Sequence, residues 1–127
     1  MTISRYIGAS AGSLIIAGAA ISPLLAAPPA VNGETLFRQR CQVCHSADAA
    51  KPAGVGPNLR GVVGRKAATG TFNYSPAMKQ SNITWNQTNL DRYLAAPTKT
   101  VPGTRMVIAV SDAAQRAAII KYLSQTK

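Results

Sequence analysis

The sequence predicts one small all-α domain made of helices joined by long ordered loops. Three observations carry that prediction. Apolar residues recur at helical spacing in three separate segments: Leu36, Phe37 and Cys41; Leu90, Tyr93 and Leu94; and Ile119, Ile120 and Leu123 with Tyr122. A residue able to cap a helix precedes each segment: Asn32, Asn86 and Ser111. Between them the chain is broken by Pro and Gly, and its one short apolar run, Val107 to Val110, has no second run to pair with as a strand. The 127 residues suffice for a single domain.

Residues 1–26 carry Arg5, an apolar stretch from Ile7 to Leu25 and the small residues Ala26 and Ala27 before Pro28-Pro29. That order is the pattern of an export signal, with the cut expected after Ala26. A retained membrane anchor is the alternative, since the stretch approaches the length of a span. Residues 27–32 are then a linker and 33–127 the domain.

The first helix is capped by Asn32, has Glu34 in its first turn, where a negative charge suits the helix dipole, and exposes Arg38 and Arg40. Gly33 leaves room for another helix to cross closely. The helix is expected to run straight into Cys41-Gln42-Val43-Cys44-His45, with both cysteines on one helical face. Two thiols at this spacing with a histidine directly after them point to covalent attachment of a c-type haem through two thioethers, with the His45 imidazole placed to bind the iron. The other readings of a Cys-x-x-Cys pair fit less well. No strand-helix alternation precedes it, as a thioredoxin-like motif requires. A structural zinc site needs four ligands, and the chain holds only these two cysteines and this one histidine. A structural disulfide would leave His45 a coincidence.

A haem needs a second axial donor, an apolar pocket and partners for its propionates. Residues 46–54 are small and polar and read as a loop. In the Val55-Gly56-Pro57-Asn58-Leu59 run, Pro57 has a fixed backbone and a free carbonyl, which is placed to take the other ring nitrogen of His45; an ordinary Gly-Pro turn is the alternative. Arg65 is the candidate charge partner of the propionates, with Tyr74 and Trp85 as hydrogen-bond donors; a solvated arginine and a plain core tryptophan are the alternatives. Ser75-Pro76 opens a short helix to about Gln80. Asn86 caps the next, which Pro97 stops, and residues 98–106 form a loop with a Pro102-Gly103 turn. Tyr93 either fills the core or reaches the axial ligand. Met106 lies on that loop, far from His45 in sequence, where the chain can fold over the opposite haem face; Met78 is the alternative, or a core filler. Bis-histidine ligation within one chain is impossible. Val107 to Val110 is expected to line the pocket. A last helix, from the Ser111 cap to about Gln125, is expected to cross the first near Gly33 and Phe37.

Fourteen Lys and Arg stand against the four acids Glu34, Asp48, Asp91 and Asp112, a net charge of +10. Such a surface attracts anionic partners. No run of Lys or Arg marks a nucleic-acid surface, so acidic redox proteins are the expected partners of a monomer, and a membrane only if the first residues are retained. No acid-base or nucleophile constellation marks an enzyme.

The segment from Gly33 to Leu123 resembles class I cytochrome c of the mitochondrial and bacterial soluble types. The resemblance rests on Gly33, Phe37, Cys41-Gln42-Val43-Cys44-His45, Gly56-Pro57-Asn58-Leu59, Gly64-Arg65, Tyr74, Trp85, Tyr93-Leu94, Pro102-Gly103-Thr104-Arg105-Met106, Arg116 and Tyr122-Leu123. It implies helices wrapped around one haem, with His45 proximal and Met106 distal. It also implies that Pro57 holds His45, that Tyr74 and Trp85 stand near the propionates with Arg65 as a charge close by, and that Tyr93 lies beside the Met106 sulfur. Met78 departs from the asparagine of mitochondrial relatives, and Ile108 from their aromatic. By position, Arg40, Lys99 and Arg105 would border the exposed haem edge.

The function expected is one-electron transfer in the periplasm, or from a membrane anchor facing it, between respiratory or dehydrogenase partners. The alternatives are an electron-accepting subunit of an exported dehydrogenase, which an exposed apolar patch would favour, and a haem peroxidase or gas sensor if Met106 leaves the iron.

Overall fold

The computed structural model describes residues 29–127. The expected export signal, residues 1–26, and the start of the linker lie outside them. The described residues form α1 (Gly33–Arg40), α2 (Pro76–Gln80), α3 (Gln87–Ala95), α4 (Pro97–Thr100) and α5 (Ala113–Gln125). The only β pairing among them is one isolated bridge between Lys66 and Thr84. The all-α expectation holds, and no described helix is long and apolar enough to cross a membrane.

Capping chemistry sets most of the boundaries. The Asn32 side chain accepts from Thr35 N, Ser75 from Met78 N, and Asn86 from Asn89 N. Two expectations need correction. The cap of α5 is Asp112, not Ser111: its carboxylate accepts the Gln115 N–H at 2.9 Å, and helical backbone begins one residue later than expected. Pro97 does not simply end a helix. The chain leaves α3 at Ala95, and Pro97 then opens the one-turn α4, because its missing N–H is no loss at a first helical position. The loop therefore starts after Thr100 rather than at Thr98.

The core gathers Phe37 from α1, Leu90, Tyr93 and Leu94 from α3, and Ile119, Ile120 and Leu123 from α5, with Val62, Met78, Trp85, Val101 and Val110 between them. α5 crosses α1 and packs along α3. The α1–α5 crossing is close because Gly33 has no side chain: a Cβ there would run into the Ala118 carbonyl. Phe37 meets Tyr122 with ring centroids 5.3 Å apart. Burying such an aromatic contributes about 1.5–3 kcal/mol. The exposed Arg38–Glu34 pair beside it, at 2.7 Å, contributes only about 0.3–0.5 kcal/mol. Apolar contact therefore sets the crossing, and the charges decorate it. Arg116 ties α5 to α3 through Asp91 at 2.7 Å. It also donates to the carbonyls of Val110 and Ser111, which holds the segment entering α5.

That segment differs from expectation. Only Val110 faces the core, with its N–H on Leu94 O at 2.8 Å. Val107 and Ile108 are 71% and 62% exposed. Val107, Ile108 and Ala109 lie along the surface and Val110 alone turns inward, so the segment is not a continuous lining.

Candidate functional site

α1 ends at Arg40, one residue before the cysteine motif, so the motif occupies consecutive turns instead of the helix proper. The turns remain tight: Cys44 N donates to Cys41 O at 3.0 Å and His45 N to the same carbonyl at 2.9 Å. Both cysteines are free thiols and half-buried. Burial pushes the Cys41 thiol up; the Arg40 charge opposes this and the Cys44 neighbour adds to it.

His45 is half-buried, and its Nδ1 donates to the Pro57 carbonyl at 2.8 Å. A neutral imidazole that donates at Nδ1 presents Nε2 as a lone-pair donor. Burial lowers the His45 pKa, and the Pro57 bond opposes that shift in part. The result favours the neutral ring, the form that binds a metal. The carbonyl is held in place by its neighbours. Leu59 N donates to Ser46 O at 2.6 Å, and the Asn58 amide donates to Asp48 O and Lys51 O, both at 2.8 Å. Asn58 thus braces the loop that carries Pro57, a role that its place in a Gly-Pro-Asn-Leu run does not announce.

Arg65 is half-buried and donates to Asn58 O at 3.0 Å and Arg60 O at 3.1 Å. Backbone bonds from Gly64 N to Trp85 O, 2.8 Å, and from Trp85 N to Arg65 O, 2.9 Å, place Trp85 next to it. The Tyr74 hydroxyl lies over Gly70, whose missing side chain gives it room, and its ring meets Phe72 edge-on at 5.2 Å. Pro57, Asn58, Arg65, Gly70, Phe72 and Tyr74 share the wall of one cavity of about 450 Å³. Three residues proposed from scattered sequence positions thus meet there. Trp85 is not part of that wall and packs against Tyr93, with centroids 5.0 Å apart and the rings tilted by 54°.

The Tyr93 and Thr104 hydroxyls are 2.6 Å apart, and Thr104 Oγ1 accepts the Met106 N–H at 3.3 Å. Tyr93 therefore acts on Met106 through Thr104, a link that sequence reasoning did not name. Gly103 turns the chain with φ of +91° and approaches Ala77 of α2. Arg105, expected on the haem edge, reaches back to Asn73 O at 2.9 Å and joins the methionine loop to the Tyr74 loop. Met78 is buried in the core.

These residues suit a haem better than a bare ion. Among the described residues, no three His, Cys, Asp or Glu gather to hold a metal. A macrocycle brings its own ring nitrogens and asks the protein for thiols, axial donors and a pocket. Two free thiols, an imidazole with Nε2 available and a half-buried thioether supply those parts.

Comparison with known proteins agrees. The family model for cytochrome c matches residues 30–127. The chain is 44% identical over 101 residues to cytochrome c2 of Rhodomicrobium vannielii, covering 78% of this chain and 80% of that one. It is 43% identical over 99 residues to cytochrome c2 iso-2 of Magnetospirillum fulvum, covering 76% and 95%. The solved structure of cytochrome cH from Methylobacterium extorquens superposes with a TM-score of 0.66 at 45% identity, over 72% of this chain and 92% of that one. Matched along its whole described domain and carrying the thiol pair in place, the chain belongs to the cytochrome c family, electron carriers rather than enzymes, and holds haem c covalently through Cys41 and Cys44.

Proposed function

We propose that the chain is a monomeric one-electron carrier in which His45 and Met106 would hold the haem iron. The 2.8 Å bond from His45 Nδ1 to Pro57 O carries the reading. It fixes the tautomer, leaves the Nε2 lone pair free and makes the ring a stronger donor. Thr104, held by Tyr93, positions the Met106 backbone and so restrains the methionine loop. Haem supplies the one-electron couple when bound. The chain's residues keep the site rigid in both states, and rigidity lowers the reorganisation that accompanies each transfer. Arg65 and Tyr74, which share a cavity wall, and Trp85 beside them are assigned to the propionates.

The proposed partners are acidic redox proteins, drawn by the excess of Lys and Arg. Residues 1–26 are proposed as a cleaved export signal and the periplasm as the place of work; N-terminal sequencing of the mature protein tests both. The test of ligation is the absorption spectrum of the reduced protein with and without carbon monoxide. A c-type spectrum unmoved by the gas is expected. A large shift would mean an open distal position and favour the peroxidase or sensor reading.

One observation favours a second reading. Val43 and Val55 are 82% and 79% exposed, in addition to Val107 and Ile108. Exposed aliphatic side chains suit a subunit seated on a dehydrogenase. Electron transfer that is insensitive to added salt would support that reading, because charge steering fades with ionic strength and apolar contact does not.

A further inference from the structure

We infer that Gly56 is a positioning residue for the His45 imidazole, and that it is glycine because the ring occupies the space a side chain would need. The inference rests on the reading of His45 as an axial donor. Gly56 is buried. A Cβ built on it would lie 2.7 Å from His45 Nδ1 and 2.9 Å from Nε2, with Cε1 nearer still. Carbon atoms in van der Waals contact keep about 3.5–4 Å, so ring and side chain cannot both keep their places.

Backbone freedom does not explain the glycine. Gly61, Gly64 and Gly103 have positive φ; Gly56 does not. Its backbone conformation does not call for glycine, and contact with the ring is the remaining reason. Gly54, two residues earlier, provides the contrast. A Cβ there would meet only Cys44 O, at 3.6 Å, which is ordinary contact.

Neither side of the contact can give way cheaply. Gly56 N donates to Cys44 O at 2.8 Å, and Gly56 O accepts from Gly54 N at 3.0 Å. Pro57 follows with its fixed φ. The ring is held from its own backbone by the turn, with His45 N on Cys41 O at 2.9 Å, and at Nδ1 by Pro57 O at 2.8 Å. A methyl group at position 56 would turn the imidazole about its own bond to the chain or stretch the bond to Pro57. Pro57 therefore supplies the polar half of the ring's placement and Gly56 the steric half.

Proton NMR of the haem-loaded full chain tests this. In the reduced wild-type protein, the His45 ring protons are expected to carry large haem ring-current shifts and to show nuclear Overhauser contacts with the Gly56 α protons. In Gly56→Ala, the His45 Nδ1–H is expected to exchange with deuterium about tenfold faster, the factor for losing one hydrogen bond of ordinary strength. The pattern of haem methyl shifts in the oxidised protein should rearrange as the ring turns. Gly54→Ala should change neither. Wild-type exchange and methyl pattern in Gly56→Ala would overturn the inference. Haem-shifted ring protons with no contact to Gly56 would overturn it while leaving ligation intact. Ring protons without haem shifts would overturn the ligation reading itself, and this inference with it. If Gly56→Ala yields no folded holoprotein, the wild-type contact decides: its presence upholds the inference and its absence overturns it.

Discussion

The Tyr93 hydroxyl lies 2.6 Å from the Thr104 hydroxyl, two residues before Met106. The tyrosine is anchored in the core against Trp85, so the bond joins the rigid α3 to the loop that carries the proposed distal donor. Because Thr104 Oγ1 also takes the Met106 N–H, one threonine hydroxyl serves both. Thr104→Val preserves the shape and removes both bonds. Each is worth about 0.5–1.5 kcal/mol. The reduced variant is expected to show a carbon monoxide-induced spectral shift that wild type lacks. A spectrum as unmoved as that of wild type would show that something else restrains Met106.

Tyr93 also sets an alkaline limit. Burial raises its pKa above the ordinary tyrosine value, and the Thr104 bond opposes this in part. In the unfolded chain the phenol ionises near its ordinary value of about 10. The folded protein holds the proton to higher pH. Above that value the unfolded state therefore binds fewer protons, and stability falls until the folded phenol also ionises. Tyr93→Phe should show a shallower loss of denaturant stability than wild type as the pH rises above about 10. Equal slopes would assign the loss to other groups.

The α1–α5 crossing tests a different force. Alanine normally favours a helix over glycine by at most about 1 kcal/mol. At Gly33 the new methyl would meet the Ala118 carbonyl, which is helix backbone and cannot rotate away. Overpacking of this kind costs about 1–3 kcal/mol. Gly33→Ala should therefore lower the urea midpoint, in spite of the propensity gain. A raised midpoint would mean that α5 shifts freely.

Ala68 adopts φ of +58°, a left-handed conformation that costs a side-chain-bearing residue about 1–2 kcal/mol. It lies in the loop between Lys66 and Tyr74. Glycine removes the strain and loses about 0.5–1 kcal/mol in chain entropy. Ala68→Gly is expected to stabilise the protein slightly, by about 0.5–1 kcal/mol, the difference between those two magnitudes. Thermal unfolding of the holoprotein measures it. Destabilisation would mean that the loop pays nothing for this backbone geometry.

Local chemistry was legible in the chain itself. Asn32, Ser75 and Asn86 could be named as caps because a short polar side chain before an apolar repeat has one good use. Cys41, Cys44 and His45 pointed to haem because attachment chemistry depends on their spacing. Asp112 displaced Ser111 because two adjacent residues could both cap, and sequence does not rank them. Pro97 misled because the same ring that breaks one helix can begin another.

The sequence by itself determined the attachment motif, the family and the four longer helices, and left open the cap of α5 and the single turn of α4. Tertiary structure alone decided what acts across the chain. It placed Pro57 O on His45, brought Arg65 and Tyr74 to one cavity, inserted Thr104 between Tyr93 and Met106, and turned Val107 and Ile108 outward. The physical reason is that capping and periodicity are local energies, fixed by neighbours in sequence. Hydrogen bonds and steric exclusion between distant segments depend on how the helices cross, and that is set by packing of the whole core.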